Sequence, residues 1–276
     1  MGDQVEMLDR SAMAQHLQSP LYLGGLKNMR NLHLHPLNLC LGEARAAHSL
    51  GALIFENSEV LDIVHGPRPA VVTAQGRIEA RQVMLAGDVY HKLEQRKLKG
   101  KIFPAMGGIV TTAPLGELAE QINPQDLAVY DCRFVLDYYR LTADKRLLFG
   151  GGANYSGKDS RDIEGELRPC IERTFPALKG VPIEFQWSCA MGIVVNRIPQ
   201  LGKLSDNVWY CQGYSGHGIA TSHIMGEIMA EALTGTLEKF DTFAQCKHVR
   251  VPMGDLLGNP LLAAGMWYYQ MLEKLR

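Results

Sequence analysis

The chain has 276 residues, 46% of them apolar, with a formal net charge of −1; this allows one large or two small domains with a sizeable core and offers no basic field for nucleic acid. Six cysteines stand at 40, 132, 170, 189, 211 and 246 without a C-x-x-C pair, so no metal knuckle or thioredoxin-type motif is readable, and they read as reduced, mostly buried thiols of a cytoplasmic protein. Met1 to Asp9 is acidic and polar, unlike a signal peptide, and every apolar stretch is broken by Gly, Pro or charge before the roughly 20 residues a membrane span requires.

In chain order, Leu37 to Leu50 reads as a helix: Leu37, Leu41, Ala44 and His48 recur at helical spacing, Pro36 suits its first turn and Gly51 stops it. Short strand-like runs follow at Leu53–Phe55, Val60–Val64, Ala70–Thr73 and Gln82–Ala86, with a turn at Ala74 to Arg77. These elements fit a nucleotide-binding α/β domain. From Lys101 the texture becomes antiparallel. Ile109–Pro114, Ala128–Arg133, Asp137–Thr142 and Arg146–Gly150 read as strands, with a tight turn over Ala143-Asp144-Lys145. Asp162 to Phe175 reads as a helix interrupted near Pro169, and Ile183 to Val195 as a long β-rich stretch. After Gly202 the first texture returns, with a strand at Asn207–Gln212, a glycine-rich turn and a helix from Ile219 to Leu233 closed by Gly235. That helix carries an apolar stripe of Ile224, Ile228 and Ala232, with Met225 and Met229 beside it. A short amphipathic helix is expected at Leu261 to Leu275.

The expected fold class is therefore α/β with an inserted α+β domain whose sheet is largely antiparallel. Residues 1–100 and 196–246 form the two parts of the first domain, 101–195 the inserted one and 247–276 a tail.

The turn Gly213-Tyr214-Ser215-Gly216-His217-Gly218 joins a strand to a helix. Glycines there let a ligand approach the backbone, and the helix start offers N–H donors to negative charge. The order is G-x-x-G-x-G; the dinucleotide fingerprint G-x-G-x-x-G occurs nowhere in the chain. Spacing alone leaves open a plain strand-to-helix turn, or an anion- or flavin-binding one. A nucleophile elbow needs G-x-S-x-G, and here His217 stands in the fifth position.

The block Gln212 to Ser222, with Gly226-Glu227 and Phe240-Asp241-Thr242-Phe243, resembles the C-terminal flavin-binding element of the D-amino-acid oxidase superfamily, which includes glycine, sarcosine and γ-glutamylputrescine oxidases. Leu34-His35-Pro36-Leu37 with Gly42 to Ala47, Phe55 to Val60, Val83 to Gly87, Asp137 to Gly151, and Trp187 with Asn196-Arg197-Ile198-Pro199 and Gly202 are similar to further motifs of that family, in family order. The γ-glutamylputrescine oxidase-like branch is the nearest in flavour.

The resemblance implies a Rossmann-like FAD domain with an inserted substrate domain, and a chain that lacks the first βαβ unit and its pyrophosphate cradle. A separate polypeptide could then supply the missing segment. It places Val60, Ala86 and Gly87 along FAD, and Ser215, Gly216, His217, Gly218 and Ile219 by the flavin ring. Tyr139, Arg140, Trp187 and His217 become candidate catalytic residues, with His35 approaching the ring or else in a capping or core role.

The position where relatives acting on α-amino acids often carry a carboxylate-binding Arg is Met191, which favours a longer amine. Cys189 falls near a position where sarcosine oxidases link flavin, or is simply a buried thiol. The implied activity is oxidation of an amine C–N bond, with hydride passing to flavin N5, hydrolysis of the imine and reoxidation by O₂. The alternative is a non-catalytic remnant or subunit of such an oxidoreductase.

Overall fold

The computed structural model describes residues 4–133, 135–251 and 254–274. It opens with a hairpin of β1 (Val5–Asp9) and β2 (Gly24–Asn28) separated by α1 (Arg10–His16). Asp9 caps α1 by accepting the Ala12 N–H at 2.8 Å. No hydrophobic alternation announces this unit: β2 begins with Gly24-Gly25, and a Cβ on Gly25 would stand 2.7 Å from the Met13 sulfur of α1.

Next comes α2 (Pro36–Ser49), capped by His35, whose Nδ1 accepts the Asn38 N–H at 3.3 Å. His35 is thus a capping residue. The expected stripe of α2 is present, but Leu37 and Leu41 are 60% and 47% exposed. Leu53–Phe55, expected as a strand, is irregular and exposed. Among the described residues no strand lies beside it to take up its backbone hydrogen bonds, and apolar character alone does not make a strand. A meander follows of β3 (Val60–Val64), β4 (Ala70–Thr73) and β5 (Arg77–Glu79). The turn at Ala74 to Gly76 leads into β5, a strand the sequence pattern had not marked out. After β6 (Val83–Leu85), a 3₁₀ turn over Asp88–Tyr90 and α3 (Gln95–Leu98), the chain enters its largest sheet.

That sheet has the order β11-β7-β10-β9-β8, all neighbours antiparallel. Its strands are β7 (Phe103–Thr112), β8 (Val129–Tyr130), β9 (Tyr138–Leu141), β10 (Leu147–Asn154) and β11 (Ile183–Ile193), with α4 (Glu117–Ile122) after β7. One face packs on α5 (Ile163–Thr174), which Asp162 caps by accepting the Gly165 N–H at 2.8 Å. The helix is not interrupted at Pro169. Proline inside a helix costs about 3 kcal/mol, but Ile163, Leu167 and Ile171 bury one face of α5, at roughly 1.5–3 kcal/mol each. Burial outweighs the local penalty, and Pro169 sits on the exposed side. The same core contains Val110, Leu147, Phe149 and Phe175. Leu17, with Met13 and Tyr22 against it, joins this core too, so residues 5–28 pack with the large sheet.

The third unit pairs β12 (Gln200–Ser205), β13 (Val208–Gln212) and β6 in the order β12-β13-β6. Strand β13 runs antiparallel to β12 and parallel to β6, although about 120 residues separate β6 from β13. Helix α6 (Gly218–Leu233) packs on this sheet through Met225, Ile228, Met229 and Ala232, joined by Phe240 of α7 (Glu238–Ala244). Ile224, expected in the stripe, is 54% exposed: the i, i+3, i+4, i+7 set starts one residue later. Helix α8 (Asn259–Lys274) ends the described chain; Leu275, the expected end of this helix, lies outside the described residues.

The cysteines correct another expectation. All six are free, but only Cys211 is buried; Cys40, Cys132 and Cys189 are exposed. Among the described residues no helix is long and apolar enough to cross a membrane, and no group of three or more His, Cys, Asp or Glu could hold a metal ion.

Candidate functional site

The parallel pairing of β6 and β13 brings their carboxyl ends to one side, where open α/β sheets place their ligands. β6 runs into Ala86-Gly87-Asp88, and β13 into the glycine-rich turn before α6. Two cavities lie there. One, of about 420 Å³, is lined by Asp88, by Ala190 to Gly192 of β11 and by Tyr214 to Ala220. The other, of about 530 Å³, is lined by Glu59 to Leu61, Val83 to Gly87 and Tyr90 to Leu93. The segment from Gly87 to His91 contributes to both.

Of the expected cofactor-binding residues, Val60, Ala86 and Gly87 line the second cavity, and Ser215, Gly216, His217, Gly218 and Ile219 line the first. The turn does not offer all its amides. Ser215 donates its N–H to the Gly192 carbonyl at 2.9 Å, and His217 to the Tyr214 carbonyl at 3.0 Å. The first turn of α6 adds donors at Gly218, Ile219 and Ala220, which have no intrahelical acceptor. His217, the N-cap, makes no side-chain capping bond. A Cβ on Gly216 would meet nothing within 4 Å, and one on Gly218 only the Tyr214 Cβ at 3.8 Å. The backbone is therefore bare where the helix opens into the cavity. A planar group that gains negative charge could lie against these amides, and a longer ligand could continue past Gly87 into the second cavity.

Ser215 is fixed in place. It is 8% exposed, at φ 53°, with its hydroxyl donating to the Gly213 carbonyl at 3.3 Å and accepting the Val194 N–H at 3.2 Å. Its hydroxyl is occupied by the turn itself and is not a nucleophile. His217 is exposed at the cavity mouth.

The remaining catalytic candidates separate. Tyr139 is 2% exposed, stacked on Phe149 at 5.4 Å and edge-on to Phe175 at 5.1 Å, with its hydroxyl donating to Tyr22 at 2.9 Å. Burial pushes its phenol far above the usual range. It is a core residue and cannot orient a substrate. Strand alternation turns Tyr138 and Arg140 to the opposite face. Tyr138 lies in one cross-strand row with Gly150, Ile109 and Trp187. Gly150 carries no side chain there because the Tyr138 ring occupies the space.

Trp187, Cys189 and Met191 alternate along β11 onto this same face. Met191 lines the first cavity, and Trp187, 43% exposed, extends the wall about 14 Å from it at the rise of a strand. Cys189 is exposed on that wall and is not among the residues lining the cavity. Arg140 lies three strand steps from β11, roughly 14 Å away, and its guanidinium donates to the Leu141 carbonyl at 3.0 Å. The structure does not bring it to His217.

Two site residues escaped the sequence reading. Asp88 leaves β6 at φ 48° and accepts the Gly213 N–H at 3.1 Å. Tyr90 donates its hydroxyl to the Ala190 carbonyl at 3.0 Å and accepts the Ala190 N–H at 2.9 Å. They bind the end of β6 to partners 100 and 125 residues away, and no local pattern encodes that.

Burial holds the Asp88 carboxyl above its usual range, opposed by the Gly213 and Gly192 amides, and holds His91 below its own, opposed by Asp88. Because the folded value of His91 is depressed, its contribution to stability is complete above the unfolded value near 6.5 and is lost as pH falls below it. Thermal unfolding between pH 7 and pH 5 should show a smaller loss of Tm in His91→Gln than in wild type; equal losses contradict this.

The model of the family of FAD dependent oxidoreductases matches residues 1–232. The chain belongs to this family. It is 41% identical over 275 residues to gamma-glutamylputrescine oxidoreductase of Escherichia coli strain K12, and 36% identical over 278 residues to a probable oxidoreductase of Haemophilus influenzae. Each alignment takes in 99% of this chain and 64% of the relative, so the chain spans just under two thirds of their length.

Among solved structures, glycine oxidase from Geobacillus kaustophilus matches with a TM-score of 0.75 at 18% identity, over 90% of this chain and 68% of that one. Glycine oxidase from Bacillus cereus matches with a TM-score of 0.74 at 20% identity, over 89% and 69%. These likenesses bear out the α/β fold with a largely antiparallel sheet. FAD is the cofactor of the family.

Proposed function

We propose that this protein is an FAD-dependent oxidoreductase that oxidises the C–N bond of an amine carried on a long, partly apolar molecule. One observation carries the reading: the uncapped start of α6 opens into a cavity at the carboxyl ends of the parallel pair β13–β6, beside a second cavity lined by Val60, Ala86 and Gly87. In this reading the Gly218, Ile219 and Ala220 amides would hold the electron-rich edge of the isoalloxazine, and the second cavity would take the adenosine half. FAD supplies the two-electron acceptor that turns an amine into an imine by hydride transfer to N5, with O₂ as the oxidant that restores it.

The protein's own residues orient the amine and keep it dry. Met191 and Trp187 form an apolar and aromatic wall along β11, with Tyr138 on the same face of the sheet. Met191 cannot pair with a carboxylate, so a small amino acid held by its carboxylate fits poorly. The name of the Escherichia coli relative, a gamma-glutamylputrescine oxidoreductase, points to the same kind of substrate, an amine at the end of a long chain. In this reading His217, which lines the first cavity, would meet the substrate. Arg140 could reach only the far end of a long molecule.

A division into domains follows. The large sheet is drawn entirely from residues 103–193, while β6 and β13 pair across it in the chain. This supports residues 101–195 as the substrate domain, with 1–100 and 196–246 as the parts of the FAD domain and 5–28 packed against the substrate domain.

Purified protein should be yellow, and anaerobic addition of a long-chain primary amine such as γ-glutamylputrescine should bleach its absorbance near the visible flavin band. Glycine should do so much more slowly. A protein that stays colourless with added FAD contradicts the reading.

A further inference from the structure

Asp88 is the joint of the site. It leaves β6 in the left-handed region, at φ 48°, which Asp tolerates better than most residues. Its carboxylate reaches across to the glycine-rich turn and accepts the Gly213 N–H at 3.1 Å. The Gly192 amide, at the end of β11, also favours its charged form, and a Cβ on Gly192 would collide with the carboxylate. From its own segment this one side chain thus reaches the two others that converge on the first cavity, and it lines that cavity itself. The groups that act on its charge are these two amides and His91.

We propose that Asp88 is a positioning residue of the flavin site: it fixes the glycine-rich turn and sets a negative charge beside the ring. This rests on the reading that the first cavity holds the isoalloxazine, and deepens it. The start of α6 favours negative charge in the ring and Asp88 opposes it. The balance between the two sets how readily the bound flavin accepts electrons.

Asp88→Asn keeps an oxygen acceptor for the Gly213 amide and removes the charge, while Asp88→Ala removes both. The flavin-loaded protein is titrated at pH 8 for its flavin reduction potential, and its affinity for FAD is measured by equilibrium dialysis. Asp88→Asn should bind reduced flavin about tenfold more tightly relative to oxidised flavin, a rise of ~30 mV for the two-electron couple, with FAD affinity nearly kept. Asp88→Ala should lose FAD affinity by about tenfold or more, with restoration in Asp88→Asn. A yellow wild type whose Asp88→Asn potential and Asp88→Ala affinity are both unchanged overturns this inference alone. A wild type that binds no flavin overturns the functional reading and this inference with it.

Discussion

A carboxylate introduced at the first position of α6, by Gly218→Asp, will weaken flavin binding at least tenfold without unfolding the protein. Gly218 has room for a side chain and is not in the left-handed region. An acidic residue in the first turn favours the helix dipole by about 0.3–1 kcal/mol, and replacing glycine within a helix does not weaken it. Stability should hold or rise slightly. The same carboxylate would stand where the ring's electron-rich edge meets the Gly218, Ile219 and Ala220 amides, and would occupy those donors. FAD affinity should fall at least tenfold, about 1.4 kcal/mol or more, while Tm of the apoprotein stays within a few degrees of wild type. Retained affinity would mean that the start of α6 does not meet the cofactor.

Tyr139→Ala will remove about 3–5 kcal/mol of stability, by analogy with other aromatic truncations in packed cores. The ring is enclosed by Phe149, Phe175 and their neighbours, and its loss leaves a cavity that the sheet and α5 cannot close. Tyr139→Phe gives up only the hydroxyl contact to Tyr22, worth about 0.5–1.5 kcal/mol. Urea unfolding separates the two variants, and amine oxidation by Tyr139→Phe should match wild type. Loss of oxidation in Tyr139→Phe with stability intact would return the phenol to the reaction.

That pair shows where sequence reasoning ran out. The turn at Ala143 to Lys145 and helices α2 and α6 are encoded by residues within a few positions of one another, and each was legible. The glycine-rich turn was legible as well, because glycine spacing before a helix has a local physical meaning. Which face of β9 looks into the core was harder: Tyr138 and Tyr139 are chemically alike, and only the packing of α5 on the far side of the sheet decides between them. Ile224 failed for a similar reason. Several apolar residues crowd the middle of α6, and the stripe that buries depends on where the sheet lies.

Asp88 and Tyr90 could not be read at all, since their partners at 190, 192 and 213 come from other elements. The N-terminal hairpin was hidden by its composition. Two glycines open β2: Gly25 lets Met13 of α1 approach the strand, and Gly24 lies against the Leu8 carbonyl of β1.

The central claim is that amides at the start of α6 meet the electron-rich edge of a bound isoalloxazine. A crystal structure of the flavin-loaded protein tests it most directly. The account predicts the ring in the cavity between β11 and α6, with its pyrimidine oxygen about 2.7–3.2 Å from the amide nitrogen of Gly218, Ile219 or Ala220. Flavin bound elsewhere, with that cavity filled by side chains or water, would contradict it.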